Sequence, residues 1–176
     1  MRIDDSGNTT ISAYDALNRK VSETFADQTT WLATFNVHDN EVGMVDANGS
    51  VIASTFDLLD RVTGHIIMPG AGVSADTTFE IFKYDGQSRV VHGEDDDSLV
   101  IRSHNSLSHV ISETLNGQVT SCIYDGVGNQ IQCTYPGGRT ILCTFDELEL
   151  KKTISDLNGL IASYDYVGPG RVERRK

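Results

Sequence analysis

Five aspartates stand directly behind an aromatic residue: Asp15, Asp57, Asp85, Asp125 and Asp146 follow Tyr14, Phe56, Tyr84, Tyr124 and Phe145. Carboxylates repeated at one position would line an edge, and placed carboxylates are what general acid–base chemistry uses. A plainer cause competes, because Asp at the entrance to a turn accepts hydrogen bonds from backbone amides two residues on. No serine sits in a Gly-x-Ser-x-Gly elbow and no glycine loop has the spacing that cradles phosphate. The reading is a non-catalytic chain with no cofactor.

The other residues capable of chemistry are as scattered. Cys122, Cys133 and Cys143 lack the CxxC or paired-histidine spacing of a zinc site. His38, His65, His92, His104 and His109 fall at different points of the pattern, and His104 stands where an aromatic is expected. His104 and His109 flank a turn without a third ligand. The run Glu94-Asp95-Asp96-Asp97 lacks the glycine-bearing alternation of a calcium loop and reads as a solvated turn.

What positions these residues is a repeat. Aromatic anchors occur at Tyr14, Phe35, Phe56, Tyr84, Tyr124, Phe145 and Tyr166, with His104 filling one place, at separations of 21, 21, 28, 20, 20, 21 and 21 residues. A near-constant period marks a repeat architecture. Seven residues before each anchor stand Gly7, Gln28, Gly49, Thr77, Asp97, Gly117, Gly138 and Gly159. The Asn-Gly pairs at 48–49, 116–117 and 158–159 carry the signal of a type I′ hairpin turn, and Gly137-Gly138 can serve likewise.

Between glycine and anchor run six residues rich in Val, Ile and Thr, as in Ser50–Thr55, a composition suited to a pleated strand. Four-residue turns at 16–19, 58–61 and 126–129 then lead into returning strands such as Lys20–Phe25, Val110–Leu115 and Gln130–Tyr135. The expectation is an all-β chain of about eight antiparallel hairpins forming a twisted or spiralling sheet over 1–176, with a loop insertion near 68–76.

The four-residue turns predict that each anchor faces the residue seven further on: Val21, Val42, Thr63, Val91, Ile111, Ile131, Lys152 and Glu173. Most are β-branched, which suits a cross-strand aromatic pair. The same register sets Cys122 across from Cys133. Opposed strand residues meet the Cα separation a disulfide needs, so an oxidising compartment would allow that bond. The alternative is three small buried thiols.

Tyr-Asp-x-x-Gly-Arg followed by an apolar strand, with glycine seven residues before, resembles the YD repeat of the Rhs and teneurin-like families. Arg19, Arg61, Arg89 and Arg171 hold its arginine place and Asn129 is a familiar substitute; Gly128 and Gly170 keep its glycine, while Asn18, Asp60 and Ser88 replace it. His104-Asn105 and Glu149-Leu150 depart from the motif. The resemblance implies a β-sheet that spirals into a hollow shell, enclosing a toxin domain in bacterial toxins or forming an adhesion ectodomain in teneurins. No Asp-Pro pair of the self-cleaving core segment is present, and Gly168-Pro169-Gly170 is no substitute for one.

The implied role is a structural wall for encapsulation or delivery of a toxin, secreted or at the cell surface as part of a larger protein. Its partners would be further YD repeats and an enclosed toxin domain. A rival role is a cell-surface adhesion or carbohydrate-binding module, since solvent-facing rings can stack on sugars and surface glycans would then be the partner. The formal charge of −11 disfavours nucleic acid. No stretch approaches a membrane span, and the start lacks the apolar core of a secretory signal. Neither end has the polar cap of a finished array, which suggests a fragment.

Overall fold

The computed structural model describes residues 1–168 and 170–176, so Pro169 of Gly168-Pro169-Gly170 lies outside the described residues. Among the described residues all regular structure is β, as the hairpin pattern leads one to expect. The chain divides into two compact units, Met1–Ser98 and Leu99–Lys176.

The first unit holds β1 (Arg2–Ile3), β2 (Thr9–Tyr14), β3 (Lys20–Thr24), β4 (Thr30–Phe35), β5 (Glu41–Val45), β6 (Val51–Phe56), β7 (Val62–Met68), β8 (Phe79–Tyr84) and β9 (Val90–Asp95). Each strand pairs antiparallel with the next. The second unit repeats this with β10 (Leu99–His104), β11 (Val110–Leu115), β12 (Gln118–Tyr124), β13 (Gln130–Thr134), β14 (Thr140–Phe145), β15 (Lys151–Asp156), β16 (Gly159–Val167) and β17 (Arg171–Arg175).

The turns explain both the meander and a departure from the expected register. After the anchor the chain closes a three-residue loop, not a four-residue one: Asp15 N–H donates to Arg19 O and Asn18 N–H to Asp15 O. Asn18 takes φ +62°, and Asp39, Asp60, Ser88, Ser108 and Glu149 do the same in their loops. This is the hairpin loop in which a type I turn is followed by one left-handed residue. The anchor therefore pairs with the residue six further on (Tyr14 with Lys20, Phe56 with Val62, Tyr124 with Gln130), and the register shifts beside it. Val21, Val42, Thr63, Val91, Ile111, Ile131, Lys152 and Glu173 are consequently not the anchors' partners. Each is the extra residue of a bulge, one residue more on the returning strand than on its neighbour.

The opposite turns differ among themselves. Asn116 and Gly117 both have positive φ, as type I′ requires, whereas at Asn48-Gly49 and Asn158-Gly159 only the glycine does. Gln28 takes the same left-handed place at φ +69° although it carries a side chain. The insertion runs from the end of β7 to β8. It folds back on the Asn48-Gly49 turn, where the Gly70 amide donates to the buried Ser50 hydroxyl at 3.2 Å.

Burial is thin. Among the described residues the buried apolar side chains are those of Ala33, Cys133 and Ala162, and the chain exposes 11712 Å². A compact monomer of this length would expose roughly 8,400 Å². These are sheets without a second layer, so the coupling between strands and turns does the work a core does elsewhere.

Candidate functional site

The aspartates are engaged at their own turns. Asp15 Oδ1 accepts from the Leu17 and Arg19 amides at 2.9 and 3.0 Å, and Oδ2 accepts from Arg19 Nε at 2.7 Å. Asp57 with Arg61 and Asp85 with Arg89 repeat these bonds. The residue five past the anchor, here called the slot, varies while the turn persists. Asn129 donates its amide to Asp125 at 3.0 Å, and His109 Nδ1 lies 3.3 Å from the Asn105 amide. Asp146 accepts from the Leu148 and Leu150 amides.

Electrostatics follow from these bonds. The Arg89 side chain, helped by the Arg89 and Gln87 amides, pulls the Asp85 carboxyl down to about 2. The Arg61 side chain lowers Asp57, and the Arg19 amide and then its guanidinium lower Asp15. A general acid or base works best with a pKa near the operating pH. Carboxylates held ionised at a turn are fixed anions, suited to holding an arginine in place.

That placement couples one repeat to the next. Arg19 lies 4.6 Å from the centre of the Phe35 ring and Arg61 4.5 Å from that of Tyr84. His109 stacks on Tyr124 with ring centres 4.5 Å apart and planes inclined by 20°. Three slots thus cover the ring of the following anchor by cation–π or stacking contact. Three slots also reach the left-handed residue of the following turn: Arg19 to Asp39 at 2.6 Å, Asn40 to Asp60 at 2.6 Å and Arg61 to Ser88 at 3.0 Å. The anchor answers where it is tyrosine. Tyr84, Tyr124 and Tyr166 donate their hydroxyls to the carbonyls of Val62, Val110 and Lys151, each one residue past the preceding slot.

The strands keep slot and ring in one register. At every junction inside a unit, the residue three past the slot pairs with the residue three before the next anchor: Ser22 with Leu32, Gly43 with Ala53, Gly64 with Ile81, Ser112 with Ser121, Gln132 with Leu142 and Thr153 with Ser163. The long 28-residue interval obeys the same rule. Its extra residues are looped out beyond the junction.

Phe35, Phe56, Tyr84, His104, Tyr124, Phe145 and Tyr166 are all partly covered, whereas Tyr14 is 57% exposed. The turn glycines Gly7, Gly49, Gly117, Gly138 and Gly159 all adopt positive φ. Cys122 and Cys133 are Cα partners with sulfurs 2.6 Å apart, both as thiols, and Cys143 lies on β14 beside them. Burial, and then the neighbouring Cys133, push the Cys122 thiol up to about 12.

The acidic run is spent locally: Asp95 accepts from the Asp97 and Ser98 amides, and Asp96 accepts from Thr78. His92 meets Glu94 at 3.0 Å. Among the described residues no three His, Cys, Asp or Glu side chains converge on a metal position.

One arrangement matches no sequence motif. Ser54, His65 and Glu80 lie in a cross-strand row, with Ser54 Oγ 2.9 Å from His65 Nδ1 and Glu80 3.9 Å from Nε2. The residue types are those of a hydrolytic triad, but the acid is beyond hydrogen-bond reach. The row occupies paired positions in the middle of the sheet, where backbone amides serve the ladder and leave no oxyanion donors. Only the strand register could have revealed it, since the three are far apart in sequence and match no motif.

No family model matches the chain, and no curated protein matches it in sequence. Solved structures share its fold. The crystal structure of TcdB2-TccC3-Cdc42 superposes with a TM-score of 0.69 at 12% identity, covering 93% of this chain and 11% of that one. TcdB2-TccC3 gives 0.67 at 12% identity, with 93% and 11% covered. The Tc holotoxin pore of Photorhabdus luminescens gives 0.64 at 14% identity, with 84% and 9% covered. The chain therefore spans about a tenth of the length of the chains it matches. At these identities the likeness is one of fold alone.

Proposed function

We propose that the chain is wall: a non-catalytic segment of a YD-repeat β-shell whose two units belong to one array and which serves to enclose or deliver a toxin domain outside the producing cell. The observation that carries this reading is the coverage of an anchor ring by the slot of the repeat before it at three junctions, as Arg61 covers Tyr84. A module made of such junctions is stabilised by its neighbours and not by a core. The likeness to Tc toxin chains points the same way.

The opposite face supports it further. Leu32, Ile66, Ile81, Ile123 and Leu142 are exposed large aliphatics, and strand alternation puts them on the side away from the rings. Exposed apolar surface on this scale marks a surface that meets something else, and in a closed shell it would not face bulk water.

A carbohydrate-binding role would want a row of rings open to solvent. The anchors other than Tyr14 are partly covered instead, and the Trp31 ring has Lys20 Nζ 4.7 Å from its centre. Electron cryo-microscopy of the polypeptide as its gene encodes it tests the proposal. The expected result is this segment within a hollow β-wall around an enclosed chain. A solvent-exposed ribbon enclosing nothing, or specific glycan-array binding that Trp31→Ala abolishes, would overturn it.

A further inference from the structure

Three Asn-Gly pairs stand in turns between repeats, with Asn48, Asn116 and Asn158 all exposed. An asparagine before glycine can lose its side-chain amide without an enzyme, because glycine has no side chain to hinder its nitrogen. That nitrogen attacks the asparagine Cγ and ammonia leaves, closing a five-membered imide. Water then opens the imide to aspartate or isoaspartate. Each event exchanges one ammonia for one water and adds one negative charge. Closure needs a carboxamide free to turn and a backbone free to follow it.

The fold grants that freedom unequally. Asn116 is clamped: its Oδ1 accepts from the Leu99 amide at 2.7 Å, and its own amide donates to Leu99 O at 2.9 Å. Asn48 has no such clamp, but its turn is covered. The insertion lies so close that a side chain at Gly70 would strike the Asn48 carbonyl and the Gly49 backbone. Asn158 has neither restraint. Its amide N–H donates to Asp156 Oδ1 at 2.8 Å, while its carboxamide is unbonded among the described residues. Leu157 beside it is 91% exposed and the space around Gly159 is open. Gly159 and Asp156 form the last pair of the β15–β16 ladder, where opening is easiest.

We propose that Asn158 is a modification site, the member of the three that the folded chain leaves open to loss of its amide. What the change does is set by the groove Asn158 lines. Asp156, Leu157 and Asn158 share with Gly137, Gly138 and Arg139 an open groove of about 320 Å³. Arg139, the basic residue of that lining, reaches Asp156 Oδ2 at 3.3 Å. A carboxylate at 158 competes with Asp156 for this arginine. Isoaspartate also lengthens the turn by a methylene and takes Gly159 out of step with Asp156.

Incubation of the folded 176-residue chain in alkaline, ammonia-free buffer, with its peptides mapped by mass, tests the assignment. Asn158 should convert about fivefold faster than Asn116 or more, the scale of one hydrogen bond that must break first. Asn48 should also lag behind Asn158. In concentrated urea the three should converge, since glycine follows each of them. Hydroxylamine, which cleaves the imide, should cut the folded chain first between Asn158 and Gly159. An Asn158 that keeps its amide, an Asn116 or Asn48 that converts as fast in the folded chain, or an order that persists in urea would each overturn the proposal. The wall reading is independent of the outcome, since no slot or anchor takes part.

Discussion

Arg19 lies over the ring of Phe35, its guanidinium carbon 4.6 Å from the ring centre, while its own Nε is held by Asp15 at 2.7 Å. The aspartate behind one aromatic thus aims an arginine at the next aromatic. Lysine is a point charge without the planar fork that lets one face stack while the edge bonds a carboxylate. Arg19→Lys and Arg61→Lys are expected to lower the melting temperature almost as much as the alanine variants, measured by calorimetry. A lysine variant as stable as the parent would reduce the contact to simple charge.

The tyrosine hydroxyls make a separable contribution. Tyr84→Phe and Tyr124→Phe keep the ring but strip the bond to the Val62 and Val110 carbonyls. Each should cost about 1 kcal/mol in denaturant unfolding, the usual net worth of one hydrogen bond. Phe56→Tyr has no such loss to show and serves as a control for ring size.

Acid should loosen the turns in a defined window. The Asp85 carboxyl is lowered from 3.8 to about 2 in the folded chain, chiefly by Arg89. A folded pKa below the unfolded one gives stability that is complete above the unfolded value and lost as pH falls through the folded one. Stability should therefore decline from just below pH 4 towards pH 2, and Asp85→Asn should flatten that decline. An unchanged acid profile in Asp85→Asn would assign the transition to other carboxylates.

We propose that Cys122 and Cys133 close a disulfide under oxidising conditions. Two thiols and oxidised glutathione would yield the cross-strand bond and two molecules of reduced glutathione, leaving Cys143 as the one titratable thiol. With the Cys122 thiol pushed up to about 12, thiolate is scarce at neutral pH and the reaction should accelerate with alkali. Three thiols after prolonged oxidation, counted in denaturant, would contradict the bond.

Gln28 sits at φ +69°, a conformation that a side chain disfavours. Gln28→Gly should stabilise by about 0.5 kcal/mol, relief of that strain exceeding the entropy glycine loses. Gly49→Ala, at φ +83° with open space around the added methyl, should destabilise through backbone strain alone.

The hairpins were legible because their signals are local: an aromatic every 21 residues or so, Val and Ile between, and turn formers at fixed offsets. The anchor register was missed by one residue, since a bulge at Val21 or Val42 changes no composition. Gln28 and Glu149 in left-handed turns were equally hidden, because the loop imposes the conformation and residue type only taxes it. The slot's reach to the following ring was invisible for a different reason. Arg19 and Phe35 are 16 residues apart, and only the register of β3 against β4 brings them together. The Ser54–His65–Glu80 row is hidden for the same reason.

The most direct measurement is a double-mutant cycle on Arg61 and Tyr84, with Arg19 and Tyr84, which are two junctions apart, as the reference pair. If repeats are held to their neighbours by slot on ring, Arg61→Ala and Tyr84→Ala should be strongly non-additive in unfolding free energy while the reference pair adds. Additive effects for Arg61 and Tyr84, equal to those of the distant pair, would contradict it.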